Sequence, residues 1–595
     1  MRIADVGRLW RTLRHLRAEQ LLGRVWFRLH RPRPDLRPAP ALRVPAPVAV
    51  PAPAGAWQAP AQREASVLGP QRFLFLNVEH TLDAGAAAWD DVRMERLWRY
   101  NLHYFDDLNA VGHAERSAWH RELLPRWTAQ NPPGQGTGWE PYPTSLRIVN
   151  WIKWFTGGAT AEPAWLDNLA IQVRWLCGRL EWHLLGNHLF ANAKALVMAG
   201  LFFDGPEAEG WLARGLAILE RELPEQILPD GGQFERSPMY HALALEDLLD
   251  LVNMVGARAG PQSSAQTQTQ ALLPAWAGRA SKMLHWLRCM TRPDGSLAHF
   301  NDSAAGIAPH ATELERYAGA LGITAPQPDA RLVHLTHLAN SGYIRATCGT
   351  AVLLADVAPL GPDYLVGHAH ADTLSFELSL DAQNLVVNGG TSRYGLGPER
   401  LRERGTAAHS TVQVAGQDSS EVWSGFRVGR RARPFGLKVQ QQKQKQSQTP
   451  YQGAIFGCAH NGYQHLPGAP QHHRQWALEN GALQVDDRLL SAKLHARQPV
   501  GLPDGLTIAL PAIARFHLAP GLALQAAGSN AWNVLLGAQQ VAHVKVQAGR
   551  GRKAVGQHAP RFGVTVAIET LEVELQDGVA STCWSWNTDA HSFPD

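Results

Sequence analysis

The sequence predicts a multidomain α+β protein: a half built of helical hairpins packed in an arc or ring, then an antiparallel β-sandwich. Three observations predict it. At 595 residues the chain is too long for a single core. From about residue 84 to 325, apolar residues recur at three- and four-residue spacing. After about residue 330 the period falls to two, with Gly, Asn and Asp at the breaks. The implied parts are a basic helix and linker (1–62), a helical domain (63–328) and a sandwich (329–595).

In chain order, the first segment carries Val6, Leu9, Leu13 and Leu16 at helical spacing with Arg between them. Residues 1–40 hold ten arginines against Asp5, Glu19 and Asp35, although the whole chain is only +4. Such a helix docks on its own protein or makes peripheral contact with an anionic membrane surface. With the positive charge confined there, no broad nucleic-acid-binding surface is expected. A Pro/Ala-rich linker follows at 32–62, and 72–78 reads as a short strand.

Seven helices are then expected, over 94–111, 144–157, 162–185, 187–203, 208–228, 239–256 and 276–290, with a polar tract at 262–270 interrupting them. In the sandwich, strands alternate with turn residues, and a second polar tract at 439–449 reads as a mobile loop. The five cysteines never fall in CxxC spacing and read as free thiols. No apolar run spans a membrane, and Arg recurs too often from Arg8 to Arg17 for a secretory signal core. The 21 tryptophans suit helix interfaces or the apolar faces of sugars.

Three clusters carry chemistry. Gly186-Asn187-His188 opens a helix, with Asn192 four residues after His188 on the same face. Asn187 serves there as a cap or as a site residue. The loop from Asp230 to His241 holds Glu235, Arg236 and Tyr240, a tyrosine at a helix mouth that can pass a proton. The third cluster is GHAHADTLSFEL with NGGTSRYG and RGTAAHSTVQVAG. His368 and His370 alternate by two, so on a strand they would face one side. Tyr394, Arg400 and Arg404 stand nearby, and Arg forks suit carboxylate or sulfate. Arg147 and its aromatic neighbours line a cleft or seal helix ends.

In that order, GNHLFANAKAL, DGGQFERSPMYH and the His-rich stretch resemble the heparinase II/III family of polysaccharide lyases over roughly residues 70–595. The resemblance implies an N-terminal incomplete (α/α) toroid, a C-terminal antiparallel β-sandwich, and β-elimination on uronic-acid-containing acidic polysaccharide. It implies catalytic roles for Asn187, His188, Tyr240 and His368, and substrate contacts from Asn192, Glu235, Arg236, Tyr394 and Arg404. The elimination requires no cofactor. A structural zinc is implied on His370, Asn388 and His409, with Asn at the usually acidic position. The segments RTLRHLRAEQLLGRVWFRL and NLHYFDDL resemble the branch associated with bacterial exopolysaccharide or capsule synthesis. Two other readings compete. A glycoside hydrolase would need paired carboxylates from Glu235, Asp230 and Asp302, and a non-catalytic polymer-binding or assembly factor would need neither.

Overall fold

The computed structural model describes residues 3–43, 57–258, 264–326, 333–441, 453–492 and 507–588. Two helices open it, α1 (Ile3–Leu13) and α2 (Ala18–Leu29). A three-stranded antiparallel sheet follows. The expected strand at 72–78 is instead part of a hairpin, Arg72–Phe75 paired with Val78–Thr81. Leu76 and Asn77 both have φ near +60°, the conformation of a tight hairpin turn.

The helical domain comprises α3 (Arg96–Tyr104), α4 (Ser117–Gln130), α5 (Pro141–Thr156), α6 (Pro163–Cys177), α7 (Gly186–Phe202), α8 (Pro206–Gln226), α9 (Pro238–Ala257), α10 (Ser264–Met290) and α11 (Ala311–Ala320). The seven expected helices are present with shifted ends. Residues 94–111 break at Phe105, where φ reaches +61° and a 3-10 turn follows. The tract at 262–270, where described, forms the first turns of α10 rather than an interruption. Two helices were not expected. Helix α4 carries Pro125 and only a weak apolar stripe, and α11 is short and largely polar.

Tryptophan fills this half. Trp89, Trp98, Trp127, Trp139 and Trp151 are fully buried, with Trp127 meeting Trp139 and Trp151 at ring distances near 6 Å. Arg147 lies among them, 3.9 Å from the centre of the Trp127 ring. Its donors go to the carbonyls of His103 and Gly138 and to Gln172, so it seals the helix ends and lines no cleft.

The sandwich has an eight-stranded sheet, from Pro434–Gln441 at one edge to Leu522–Gly528 at the other. A nine-stranded sheet runs from Arg550–Arg561 to Val333–Leu338. Neighbouring strands pair antiparallel, and Phe376, Phe456, Trp476, Phe516 and Trp584 fill the space between the sheets. The expected loop at 439–449 is strand as far as Gln441, and the remainder lies outside the described residues. Among the described residues no cysteine forms a disulfide, as expected. Buried in the eight-stranded sheet is a polar relay. The Gly462 N–H donates to His460, His460 meets His472 at 3.2 Å, and His472 and Arg474 both bind Asp487. Among the described residues no helix is long and apolar enough to cross a membrane.

Candidate active site

The site forms where three short segments converge, and each has a local physical cause. The Ser237 side chain accepts the Tyr240 N–H and Pro238 occupies the first helical position, so α9 begins with Tyr240 in its first turn. Helix α7 begins at Gly186, whose φ is +56°. That left-handed conformation favours glycine, and a Cβ there would also press on the Leu365 side chain, which stands on the loop bearing His368. That loop is not a strand. His368 and His370 therefore face different partners, contrary to the expectation that they share one side.

Two histidines each lean on a glutamate. His188 Nδ1 lies 3.1 Å from Glu181 Oε1, and His368 Nδ1 lies 2.7 Å from Glu235 Oε2. A carboxylate at Nδ1 places the ring proton there and leaves the Nε2 lone pair free for chemistry. Burial works against charge on His188, but Glu181 outweighs it and raises the imidazole above its ordinary value. Asn187 is half-buried beside His188 and close to Tyr142, whose ring lies 4.6 Å from that of His188.

The Tyr240 ring stacks on His368 at 3.9 Å, and its hydroxyl meets the Tyr394 hydroxyl at 3.0 Å. Burial, with Tyr394 and Asp302 nearby, holds the Tyr240 phenol well above its ordinary pKa, so it keeps its proton at neutral pH. The Arg400 guanidinium sits 4.9 Å from the Tyr394 ring and binds Asp302 with both arms. Tyr104, Tyr142, Tyr240, Tyr394 and Phe562 line an open cleft, and among the described residues no tryptophan does. Tyrosine is thus the aromatic that would meet a sugar face, while the tryptophans serve the core.

Several expected substrate contacts are spent elsewhere. Asn192 is fully buried, giving its amide to Ser145 and Glu181 and accepting the Glu181 N–H, so it holds Glu181 under His188. Glu235 is 2% exposed and orients His368. Arg236 donates to the carbonyls of Ser341 and Phe234. Arg404 is buried and donates to the carbonyls of Ala369 and Gly425. Of the expected contacts, Tyr394 alone lines the cleft. Tyr142, one of the aromatic neighbours of Arg147 expected at a cleft or at helix ends, does line the cleft, whereas Glu181 carries no motif that points to it.

The expected zinc ligands do not make a zinc set. His370 Nδ1 faces His409 Nε2 at 3.2 Å, but His370 Nε2 is bound to Asp302. Asn388 accepts the Ser410 N–H through its oxygen, leaving a buried NH₂ with no partner. An amide NH₂ is a donor and cannot coordinate a cation. Burial lowers His370 to about 4 and His409 to about 3, so both are neutral imidazoles. Among the described residues no three His, Cys, Asp or Glu side chains are arranged to hold a metal.

Comparison with known proteins accords with this geometry. The model for the heparinase II/III N-terminus matches residues 88–320, and that for the heparinase II/III-like C-terminal region matches 330–587. The chain belongs to the heparinase II/III family of polysaccharide lyases. It is 27% identical to FtsZ-localized protein C of Caulobacter vibrioides over 459 residues, 74% of each chain. It is 24% identical to the heparin-sulfate lyase of Pedobacter heparinus over 332 residues, about half of each. A heparinase III crystal structure shares the fold, with a TM-score of 0.59 at 17% identity over 83% of this chain and 78% of that one. The toroid and sandwich expected from the sequence are the architecture found.

Two outcomes are expected. Glu181→Gln removes the group that raises His188. If neutral His188 is required, the acidic limb of kcat/KM moves to lower pH, and kcat falls about tenfold or more as the tautomer loses its anchor; an unmoved limb would show that Glu181 does not set it. Asn388→Asp replaces the unpartnered NH₂ with a carboxylate oxygen. Metal analysis after dialysis against zinc should find more zinc in the variant than in the parent.

Proposed function

We propose that this lyase cleaves uronic-acid-containing acidic polysaccharide by β-elimination, with His188 as base and Tyr240 as acid. The stack of Tyr240 on His368, with each glutamate-anchored histidine presenting a free Nε2, is the observation that carries the reading. In such a sugar the C5 proton is acidic because it neighbours a carboxylate. Hydrogen bonds to that carboxylate from the Asn187 amide, and from the Nε2–H of His368 when its ring carries both protons, would stabilise the enolate-like state as charge accumulates. His188, its Nδ1 proton held by Glu181, takes the C5 proton at Nε2. Tyr240, which retains its proton, gives it to the departing O4. The C4–O4 bond breaks, a C4–C5 double bond forms, and no water is consumed. Tyr394, hydrogen-bonded to Tyr240 and flanked by Arg400, is placed to return a proton to it.

The carboxylates offer hydrolysis little. Asp302 is bound by Arg400 and His370, which hold it well below the usual carboxylate range despite burial. Glu235 is occupied by His368, and Asp230 by backbone N–H groups of the loop at Ser341. We assign the polymer to bacterial exopolysaccharide or capsule, a reading supported by the resemblance of the N-terminal segment and of NLHYFDDL to that branch.

The test is incubation with uronate polymers while following the ultraviolet absorbance of unsaturated uronate. Absorbance should rise with the parent protein. Tyr240→Phe should reduce kcat by about 10²–10⁴-fold with the fold intact, since it removes the transferred proton and one hydroxyl. New reducing ends without that absorbance would overturn elimination in favour of hydrolysis. Binding without either signal would overturn catalysis on that polymer.

A further inference from the structure

The two N-terminal helices are turned inside out. A helix lying on a globular protein ordinarily buries its apolar stripe and shows its polar face to water. Here the reverse holds. Helix α2 meets the body through Gln20, Gly23 and Phe27. Gln20 is 1% exposed and donates to the Tyr364 carbonyl, and a Cβ at Gly23 would stand 2.9 Å from the His183 nitrogen. Phe27 rests 4.1 Å from the His183 ring. On the opposite side Leu22, Val25, Trp26 and Leu29, spaced three and four apart, are exposed, Leu22 at 71% and Leu29 at 78%.

Helix α1 repeats the arrangement. Arg8 and Arg11 bind Glu421, and Thr12 accepts from the Trp423 indole, so the polar side faces the protein. Trp10 is 67% exposed on the outward side. Eight of the nineteen exposed large apolar side chains among the described residues fall between Val6 and Leu29. So dense an apolar face on a surface helix pair marks an interaction site.

We propose that the outward face of α1 and α2 seats this protein on an anionic lipid bilayer. Charge selects this occupant. Arg14, Arg28 and Arg31 are exposed and meet no carboxylate among the described residues. They flank the apolar face as lipid-facing arginines flank interfacial helices, where Trp sits at headgroup depth and Arg meets phosphate. The arginines that serve the protein, Arg8, Arg11 and Arg17, are distinct and already paired. The seat is also tied to the site. Arg17 lies 3.6 Å from the centre of the Tyr364 ring, and Tyr364 opens the loop that leads to His368.

The test is flotation of the full-length protein with vesicles of phosphatidylcholine, alone or mixed with phosphatidylglycerol. The parent should float with the mixed vesicles, far less with phosphatidylcholine alone, and less as salt rises. Trp26→Ser with Leu29→Ser should weaken binding by about tenfold or more while circular dichroism and elimination of soluble polymer stay unchanged. Arg14→Glu with Arg28→Glu should remove the preference for anionic lipid. Absence of parent flotation, or equal flotation of these variants, overturns the proposal. So does a parent dimer in light scattering that Trp26→Ser converts to monomer, since the face would then join two copies of the chain.

Discussion

One buried carboxylate, Asp302, holds the two domains in the relation that the site needs. Its oxygens take both arms of Arg400 and the Nε2 of His370. Its backbone N–H donates to the His368 carbonyl, and its carbonyl accepts the Ser237 hydroxyl. Ser237 caps the helix that carries Tyr240. The tyrosine from one domain and the histidine from the other are thus set by the N–H, the carbonyl and the side chain of one residue. Removing a partner from such a buried pair typically costs about 3–5 kcal/mol, because the remaining charge is stranded. The ring stack across the cleft is a consequence of that arrangement rather than its cause.

Much of the fold was legible because periodicity survives tertiary packing. The helices dense in apolar residues, such as Pro238–Ala257, and the alternating strands, such as Pro470–Glu479, are found close to where the pattern puts them. Local conformation was legible only where a signal exists for it. The left-handed residues Leu76, Asn77 and Phe105 break elements where no glycine announces a turn. Helix α4 relies on Trp127 and Leu124 burying into a neighbouring core rather than on its own stripe.

The site was legible as a set of segments, not as a set of roles. Tyr240 lines the cleft with His368 stacked on it, and Tyr142 lines it too, with His188 packed on that ring and Asn187 beside it. The sequence could not distinguish polar residues that face substrate from those that hold them. Asn192 and Glu235 lie within motifs yet work from behind, and Glu181 does the same without any motif. Residue type reports donor capacity; which side of a side chain is wet depends on packing.

The relay in the eight-stranded sheet has a consequence for how the molecule comes apart. Arg474, besides binding Asp487, donates to the carbonyls of Ser410 and Leu374, next to His409 and within the stretch after His370. The far sheet is therefore fastened to backbone four residues past His370, which binds Asp302, and to backbone beside His409. Opening the sheet around Arg474 would strip the Leu374 and Ser410 carbonyls of their donors, so sheet and loop amides are expected to exchange their hydrogens with water together. A lesion deep in the sandwich, remote from any sugar, would release the cleft in the same event.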